Sequence, residues 1–439
     1  MTKRPLREPD RTKRSPSRRQ VLTTAGALAV APQIIPGSAL GLNGAVAPSD
    51  RVTLAGLGIG GRGTYVLRNF LNLADVQFVA ICDVRNERRE TIKSMADQKY
   101  GNRDCVMYSD QYELWARNDV DAVLIATGDR WHAPLSIMTA RTGKDVYCEK
   151  PCSMTIAESR ALADTFQRLG RIYQAGTQRR NGVNCIRAYE LARAGKLGKL
   201  HTLHAEAGPG DRWPPTTTHA WLPGEPEPPK QVVDWDRWLG PAPWRPYNPR
   251  YVRGGWRGFF DFHGGGVLEW GSHTVDLCQW IGDLDDTTPV EFEPHGMGAD
   301  TPYTINGRYA NGMKLVLRDK GFLGLGSCHI RIEGDTGWVE TADGGKIVVS
   351  DNLRGEPLDV VPSDATANHV RDFVNCVKSR KQPRSNALAA AQAHIACHAA
   401  YISFQLGRKL SFDPSTDSFA GNEEANRMRS RAMREPWRL

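Results

Sequence analysis

Between Arg51 and Asp83 the chain reads RVTLAGLGIGGRGTYVLRNFLNLADVQFVAICD. An apolar run, Val52 to Leu57, opens into Gly56-x-Gly58-x-x-Gly61, with a further glycine at Gly63. A helical segment follows (Tyr65, Val66, Phe70, Leu71), then a second apolar run, Val76 to Cys82, ending at Asp83. Strand, glycine turn, helix, strand and acid in this order make a dinucleotide-binding fingerprint. The first glycine permits the tight turn, the second lets backbone approach a pyrophosphate, and the third lets helix pack on strand. Gly56, Gly58, Ile59, Gly60, Gly61 and Arg62 are the expected contacts, because the helix N-terminus there faces negative phosphates. Asp83 stands where a carboxylate can accept hydrogen bonds from the adenosine ribose hydroxyls.

The first fifty residues belong to no such domain. Ser17-Arg18-Arg19-Gln20-Val21-Leu22 follows a basic leader and precedes an alanine-rich run to about Ile35. This resembles a twin-arginine export signal, which carries folded proteins across the bacterial inner membrane. It predicts a periplasmic or otherwise exported protein, cleaved after Ala39 or Ala47. The apolar run is too short to span a membrane, so no membrane insertion is expected after signal removal. The chain's formal charge of +8 comes largely from the leader. Residues 51–439 therefore offer little electrostatic support for nucleic-acid binding. The five arginines from Arg427 to Arg438 read as a solvated tail. Nine cysteines show no C-x-x-C and no zinc spacing, so neither a disulfide framework nor a metal site is expected.

After Asp83 the pattern alternates. Val120 to Thr127 reads as a buried strand, Pro134 to Thr142 as a helix, and Asp145 to Cys148 as a short strand ending in Glu149-Lys150-Pro151. Arg171 to Thr177 completes the series. Such alternation predicts an α/β fold with a doubly wound parallel sheet, whose ligands sit beyond the carboxyl ends of the strands. Asp83, Thr127 and Lys150 all fall at such ends.

The fingerprint, the Thr127-x-x-x-x-His132 loop and the Glu149-Lys150-Pro151 tripeptide together resemble the Gfo/Idh/MocA family of nicotinamide-dependent sugar oxidoreductases. The resemblance covers about residues 51 to 413. It implies an N-terminal Rossmann domain (51–177) and a C-terminal α+β domain (178–413) for substrate binding and oligomerisation, built on a large open, mainly antiparallel sheet. Residues 414–439 form a tail. It also implies that Lys150 lies beside the nicotinamide and the substrate hydroxyl, that Pro151 is cis, and that Thr127, His132, Glu149 and Gln178 join the cofactor contacts. One departure stands out: the loop begins Thr127-Gly128-Asp129, where the family has Thr-Pro-Asn.

In the second half Leu200 to Ala207, Gly312 to Val316, Phe322 to Ile332 and Gly337 to Thr341 read as strands. Asn368 to Ser379 and Ala387 to Leu406 read as helices. Family members carry glycines and then Asp-x-x-x-His-x-x-Asp at a helix start; here Gly264-Gly265-Gly266 leads to Glu269, His273 and Asp276. Spacings of four and three place all three on one helical face. Removing a hydride from a carbinol carbon requires a base within reach of the hydroxyl proton. His273 is the expected base, Lys150 the electrostatic partner and Glu269 the orienting acid. Arg179 and Asp276 are further expected substrate contacts.

The insert Pro209 to Phe262 carries eleven of the 27 prolines, and with Trp270 the region holds seven of the twelve tryptophans. It reads either as an aromatic arm for sugar rings or as the cover of a core or of a neighbouring subunit. The expected activity is hydride transfer between a sugar-like hydroxyl and a tightly bound nicotinamide. Asp83 favours NAD over NADP, with Arg85 keeping NADP open. Homo-oligomers are expected from the resemblance. Two alternatives accompany this reading: a redox-assisted glycosidase, and a non-catalytic nucleotide- or sugar-binding protein.

Overall fold

The computed structural model describes Leu42 and residues 46–207, 217–296, 302–319, 324–358 and 364–439. The leader and the first residues of the insert lie largely outside them. The chain divides into a unit ending at Asp50 and a compact unit, Arg51–Leu439. Of the first, the described part includes a single 3-10 turn, Pro48–Asp50.

The second unit begins with β1 (Val52–Leu57), α1 (Gly61–Leu71), β2 (Val76–Cys82), α2 (Asn86–Tyr100), β3 (Val106–Tyr108), α3 (Gln111–Trp115) and β4 (Ala122–Ile125). α4 (His132–Arg141), β5 (Asp145–Cys148), α5 (Ile156–Leu169) and β6 (Tyr173–Ala175) complete this half. The sheet order is β3-β2-β1-β4-β5-β6 with every pairing parallel. That order reverses direction between β1 and β4, and a ligand crevice opens at such a switch point. Strands β4 and β5 are buried throughout, as expected for a sheet covered on both faces.

The other half runs α6 (Val183–Arg193), β7 (Leu200–Glu206), α7 (Trp235–Leu239), α8 (Gly266–Gly282), β8 (Glu291–His295), β9 (Thr304–Arg308), β10 (Lys314–Arg318), β11 (Ile330–Gly334), β12 (Trp338–Thr341) and β13 (Ile347–Val349). α9 (Ala365–Ser379), α10 (Ala387–Leu406), β14 (Leu410–Asp413), β15 (Ser418–Phe419) and α11 (Glu423–Arg427) follow. Nine strands form one sheet, β13-β12-β11-β7-β10-β9-β8-β14-β15. Within this sheet, among the described residues, only β7 and β10 pair in parallel. α8 packs on β7 and β11, and α10 packs along α8. In β11 and β12 buried residues alternate with more exposed ones, so one face is turned to the helices.

α9 crosses back to the first half. Its Phe373 makes edge contacts with Phe70 of α1 (6.0 Å) and Tyr147 of β5 (5.8 Å). Val370, Phe373, Val374 and Val377 thereby complete the core beneath the parallel sheet. Asp364 caps this helix by accepting from Thr366 N and Ala367 N.

Part of the tail is docked, which corrects the expectation for Arg429, Arg431 and Arg434, while Arg427 and Arg438 are exposed. Trp437 is buried against Trp131 at 5.0 Å between centroids. Arg434 donates to Gly240 O (3.1 Å) and Asp236 O (2.7 Å), and Arg429 donates to Asp417 O (2.7 Å). Backbone carbonyls at the ends of α7 and β15 thus take the tail's charge. All nine cysteines are buried and unpaired. Among the described residues no helix is long and apolar enough to cross a membrane.

Candidate active site and cofactor groove

The carboxyl ends of β1, β2, β3 and β4 border one open groove. Gly58, Gly60, Asp83, Val84, Arg85, Thr127 and Gly128 line its floor, with Val252, Trp256, Arg237 and Trp238 of the insert along the other side. Gly58 has φ +63°, and a Cβ there would lie 2.1 Å from the Thr127 methyl, so only glycine admits this turn. Gly61, at the start of α1, has open space where its side chain would be. These features fit a dinucleotide: a bare helix N-terminus, a side-chain-free turn and an acid at the end of β2. Burial pushes the Asp83 carboxyl up against the pull of Arg85, Arg88 and Arg89, and its Oδ1 accepts from Arg85 N at 2.9 Å.

The arginines after Asp83 serve the scaffold. Arg88 donates to Ile59 O (3.0 and 2.7 Å) and fixes the glycine turn. Arg85 Nη1 donates to Val252 O (3.3 Å) and Arg89 Nη2 to Gln231 O (3.3 Å), so both reach into the insert. The insert answers with Asp234 N to Val84 O (3.0 Å) and Asn86 N to Val232 O (3.0 Å). Its own core is Trp235, Trp238, Leu239, Ala242, Tyr251 and Phe262, with the buried Arg245 ion-paired to Asp261. The arm is therefore a packed roof over the groove; Trp221 and Trp244 are its exposed indoles.

Lys150 follows β5, and the Lys150–Pro151 bond is cis. Its Nζ donates to Glu269 Oε1 (2.8 Å) and to the Glu269 carbonyl (3.0 Å). Glu269 Oε2 lies 3.4 Å from His263 Nε2. His263 Nδ1 accepts the Gly265 N–H at 3.2 Å, which leaves Nε2 as the protonated nitrogen aimed at Glu269. Burial works against a charge on Glu269, but Lys150 and then His263 outweigh it and hold the carboxyl well below its usual range. Asp129 completes the group: donor atoms of Asp129, His263 and Glu269 all lie within 4.8 Å of one another. A metal ion would need the unprotonated Nε2, and the Gly265 N–H opposes that tautomer. Burial pushes the Asp129 carboxyl up, and its Oδ2 has no partner.

His273 is buried, and its Nδ1 has no hydrogen-bond partner. Burial first, then the positive charges of Arg179 and Lys150, hold the imidazole well below its ordinary value, so it is neutral at neutral pH. Asp276 behaves differently from the sequence expectation. Its two carboxylate oxygens accept from Arg180 Nε and Nη2, each at 2.8 Å, in a pair with side-chain exposures of 0% and 1%. It is a buried anchor with no free face for substrate. Arg179 holds Asp343 with two bonds of 2.7 Å.

Glu149, Gln178 and Arg62 meet in one network: Glu149 Oε1 accepts from Gln178 Nε2 (2.9 Å) and Arg62 Nε (3.3 Å). His132 sits behind the Lys150 turn, with Nδ1 2.6 Å from Pro151 O, and is not among the residues lining the groove. His394 has both nitrogens engaged, with Cys152 N (2.9 Å) and Ala390 O (2.6 Å). Sequence reasoning missed His263 and the place of Asp129. The only available signal was the histidine directly before the glycine run.

Residues 51–177 match the oxidoreductase family's NAD-binding Rossmann fold, and residues 216–439 match the same family's C-terminal alpha/beta domain. An alpha-N-acetylgalactosaminidase from Shewanella oneidensis is 30% identical over 191 residues, 43% of this chain and 41% of that protein. A glycosyl hydrolase family 109 protein from Shewanella pealeana is 31% identical over 176 residues, 39% of this chain and 38% of that protein. The chain thus matches only about two-fifths of the length of these relatives. Among solved structures, aldose-aldose oxidoreductase from Caulobacter crescentus superposes with a TM-score of 0.57 at 18% identity, covering 82% of this chain and 100% of that one. For myo-inositol 2-dehydrogenase from Lactobacillus plantarum the TM-score is 0.58 at 18% identity, over 83% of this chain and 100% of that one. With both halves matched, the chain belongs to the Gfo/Idh/MocA family of oxidoreductases and carries that family's NAD-binding domain.

Proposed function

We propose that the protein oxidises a hydroxyl of a sugar or sugar derivative, using NAD held in the groove. The observation that carries this reading is the Lys150–Glu269 ion pair, with the Lys150 charge acting on a neutral His273 whose Nδ1 has no partner. A bound nicotinamide supplies the hydride acceptor. His273, unprotonated and with Nδ1 unpartnered, takes the hydroxyl proton. Lys150 stabilises the developing alkoxide oxygen by its charge. Glu269 holds Lys150 through two bonds, and the His263 Nε2–H steadies the far oxygen of that carboxylate. A positioned base contributes roughly a hundred- to ten-thousand-fold in rate.

NAD rather than NADP is supported by the Asp83 carboxylate, which opposes a 2′-phosphate. Arg88 does not offset it, since its Nε and Nη2 donate to Ile59 O, and Arg85 turns its Nη1 to Val252 O. Export of the folded protein with its cofactor is supported by the Arg18-Arg19 leader, and assembly into homo-oligomers by the resemblance.

A second reading is redox-assisted glycoside cleavage, favoured by the glycosidase names of the Shewanella relatives. In that case the cofactor returns to its starting state. The deciding experiment incubates the purified protein with sugars and with chromogenic glycosides while absorbance at the reduced-nicotinamide band is followed. Net reduction with a free sugar supports the dehydrogenase. Aglycone release without net reduction supports the glycosidase. Neither signal, with Lys150→Met and His273→Asn altering ligand affinity alone, would favour a binding protein.

A further inference from the structure

The loop between Thr127 and His132 carries a guanidinium that the interior serves only in part. Arg130 is 5% exposed. Its Nε donates to Trp238 O (3.0 Å) and Leu239 O (3.1 Å), and Nη2 also donates to Trp238 O. The plane lies over Trp238, with Cζ 3.8 Å from the ring centroid, and near Phe262 at 4.9 Å. Nη1 is buried and has no partner. Among the described residues no carboxylate is hydrogen-bonded to this side chain. A buried cation lacking a hydrogen-bonded counter-charge is unfavourable unless something else supplies the anion.

The position of Nη1 says where that anion belongs. Arg130 and Gly128 both line the groove. A Cβ on Gly128 would lie 2.6 Å from Nη1, so the donor occupies space that any other residue at 128 would fill. Gly128 directly follows Thr127, whose methyl meets the second glycine of the turn, Gly58. A Cβ on Gly60 would be 3.8 Å from Ala126 O. The glycine turn and the 126–130 loop therefore face each other across the part of the groove where the turn's backbone receives phosphates. Gly128 is also where the family pattern has proline, so the space for Arg130 and the departure from the pattern coincide.

We propose that Arg130 Nη1 is a ligand of the dinucleotide's diphosphate, with Gly128 opening the room for it. This rests on reading the groove as the nucleotide site. Bound from the glycine turn on one side and from Arg130 on the other, the diphosphate gives Nη1 a hydrogen-bonded counter-charge beyond the through-space pull of Asp129. Because Arg130 is stacked on Trp238, its donor is set by the arm, and nucleotide binding is tied to the arm's closure over the groove.

The test uses the full chain freed of nucleotide and two probes, ADP-ribose by calorimetric titration and adenosine by ligand-observed NMR. Arg130→Met keeps apolar contact with Trp238 but removes the donors. Gly128→Ala leaves the arginine and its stack while crowding Nη1. Both variants are expected to lose about tenfold or more in ADP-ribose affinity, the loss of one charge-assisted hydrogen bond, and to keep adenosine affinity within about twofold. Unchanged ADP-ribose binding in both overturns the proposal. Equal loss of adenosine and ADP-ribose also overturns it, since Arg130 would then act on the adenosine side or only through packing. Should Arg130→Met fail to fold, Gly128→Ala decides alone. If the wild-type chain binds neither probe, the nucleotide reading itself falls; wild-type binding with unaffected variants removes only the role of Arg130.

Discussion

Arg180 and Asp276 face each other in the interior with two bonds of 2.8 Å, and Arg180 also reaches Asp285 at 2.7 Å through both terminal nitrogens. This ties the 3-10 turn after β6 to the middle of the helix that presents Glu269 and His273. Removing one partner of a buried ion pair leaves an uncompensated charge, at a cost of about 3–5 kcal/mol. Arg180→Met, which strips the buried Asp276 of its partner, is therefore expected to lower stability by that order in denaturant unfolding. An intact midpoint would show that the pair holds nothing.

Lys150 should separate chemistry from binding. Lys150→Met removes the charge beside the substrate oxygen, and kcat should fall by about a hundredfold or more. Nucleotide affinity, measured by fluorescence titration, should change little. Glu269→Asp shortens the link to Lys150, and a displacement of about an ångström is expected to reduce kcat by about a hundredfold. A Glu269→Asp variant with full activity would remove the positioning role assigned to that carboxylate.

Acid should destabilise the fold. Burial, the leading cause in each case, holds His369 down to about 3 and His394 to about 4, against an ordinary value of 6.5. The unfolded chain therefore binds more protons below pH 6.5, so this stability is complete above 6.5 and is lost as pH falls toward the folded values. Each histidine costs about 1.4 kcal/mol per pH unit across that window. Glu158 acts in the opposite sense: burial raises it from 4.5 to about 7, so its contribution is lost as pH rises through that range. Two histidines against one acid predict a lower melting temperature at pH 5 than at pH 7 by calorimetry. A flat profile would contradict the buried neutral state.

At Gly271 α8 lies close against α10. A Cβ there would lie 2.7 Å from Cys397 Sγ, and overpacking of this kind costs about 1–3 kcal/mol. Gly271→Ala alone should destabilise, and Cys397→Ala in the same chain should recover much of the loss. Additive losses in the double variant would mean the two sites do not share the space.

The sequence made the parallel half readable because its signals are local: Gly58 in a turn, Asp83 at a strand end, Lys150 before a proline. The helix from Gly266 was legible through the resemblance, whose glycines and acid-x-x-x-His-x-x-Asp pattern stand at a helix start. What remained hidden depends on partners distant in sequence. Asp276 has the spacing of a site residue, yet Arg180, 96 positions earlier, claims both its oxygens. His263 gains meaning only when the glycine run folds it back to 3.4 Å from Glu269. Arg429 and Arg434 look solvated by composition, and only the carbonyls of Asp236, Gly240 and Asp417 reveal otherwise. α9 carries no sequence mark of packing under the parallel sheet, since an amphipathic stripe does not name its neighbour.

The nine buried, unpaired cysteines have a practical meaning. Burial pushes thiols such as Cys105, Cys152 and Cys328 up to about 12, so in the native protein they are nearly silent toward alkylating reagents. Cys82 and Cys148 lie in the parallel sheet, and Cys278 and Cys397 in the two packed helices of the other half. Each is an internal clock for its own neighbourhood. The order in which they become alkylated, read peptide by peptide, would chart which layer of the molecule opens first.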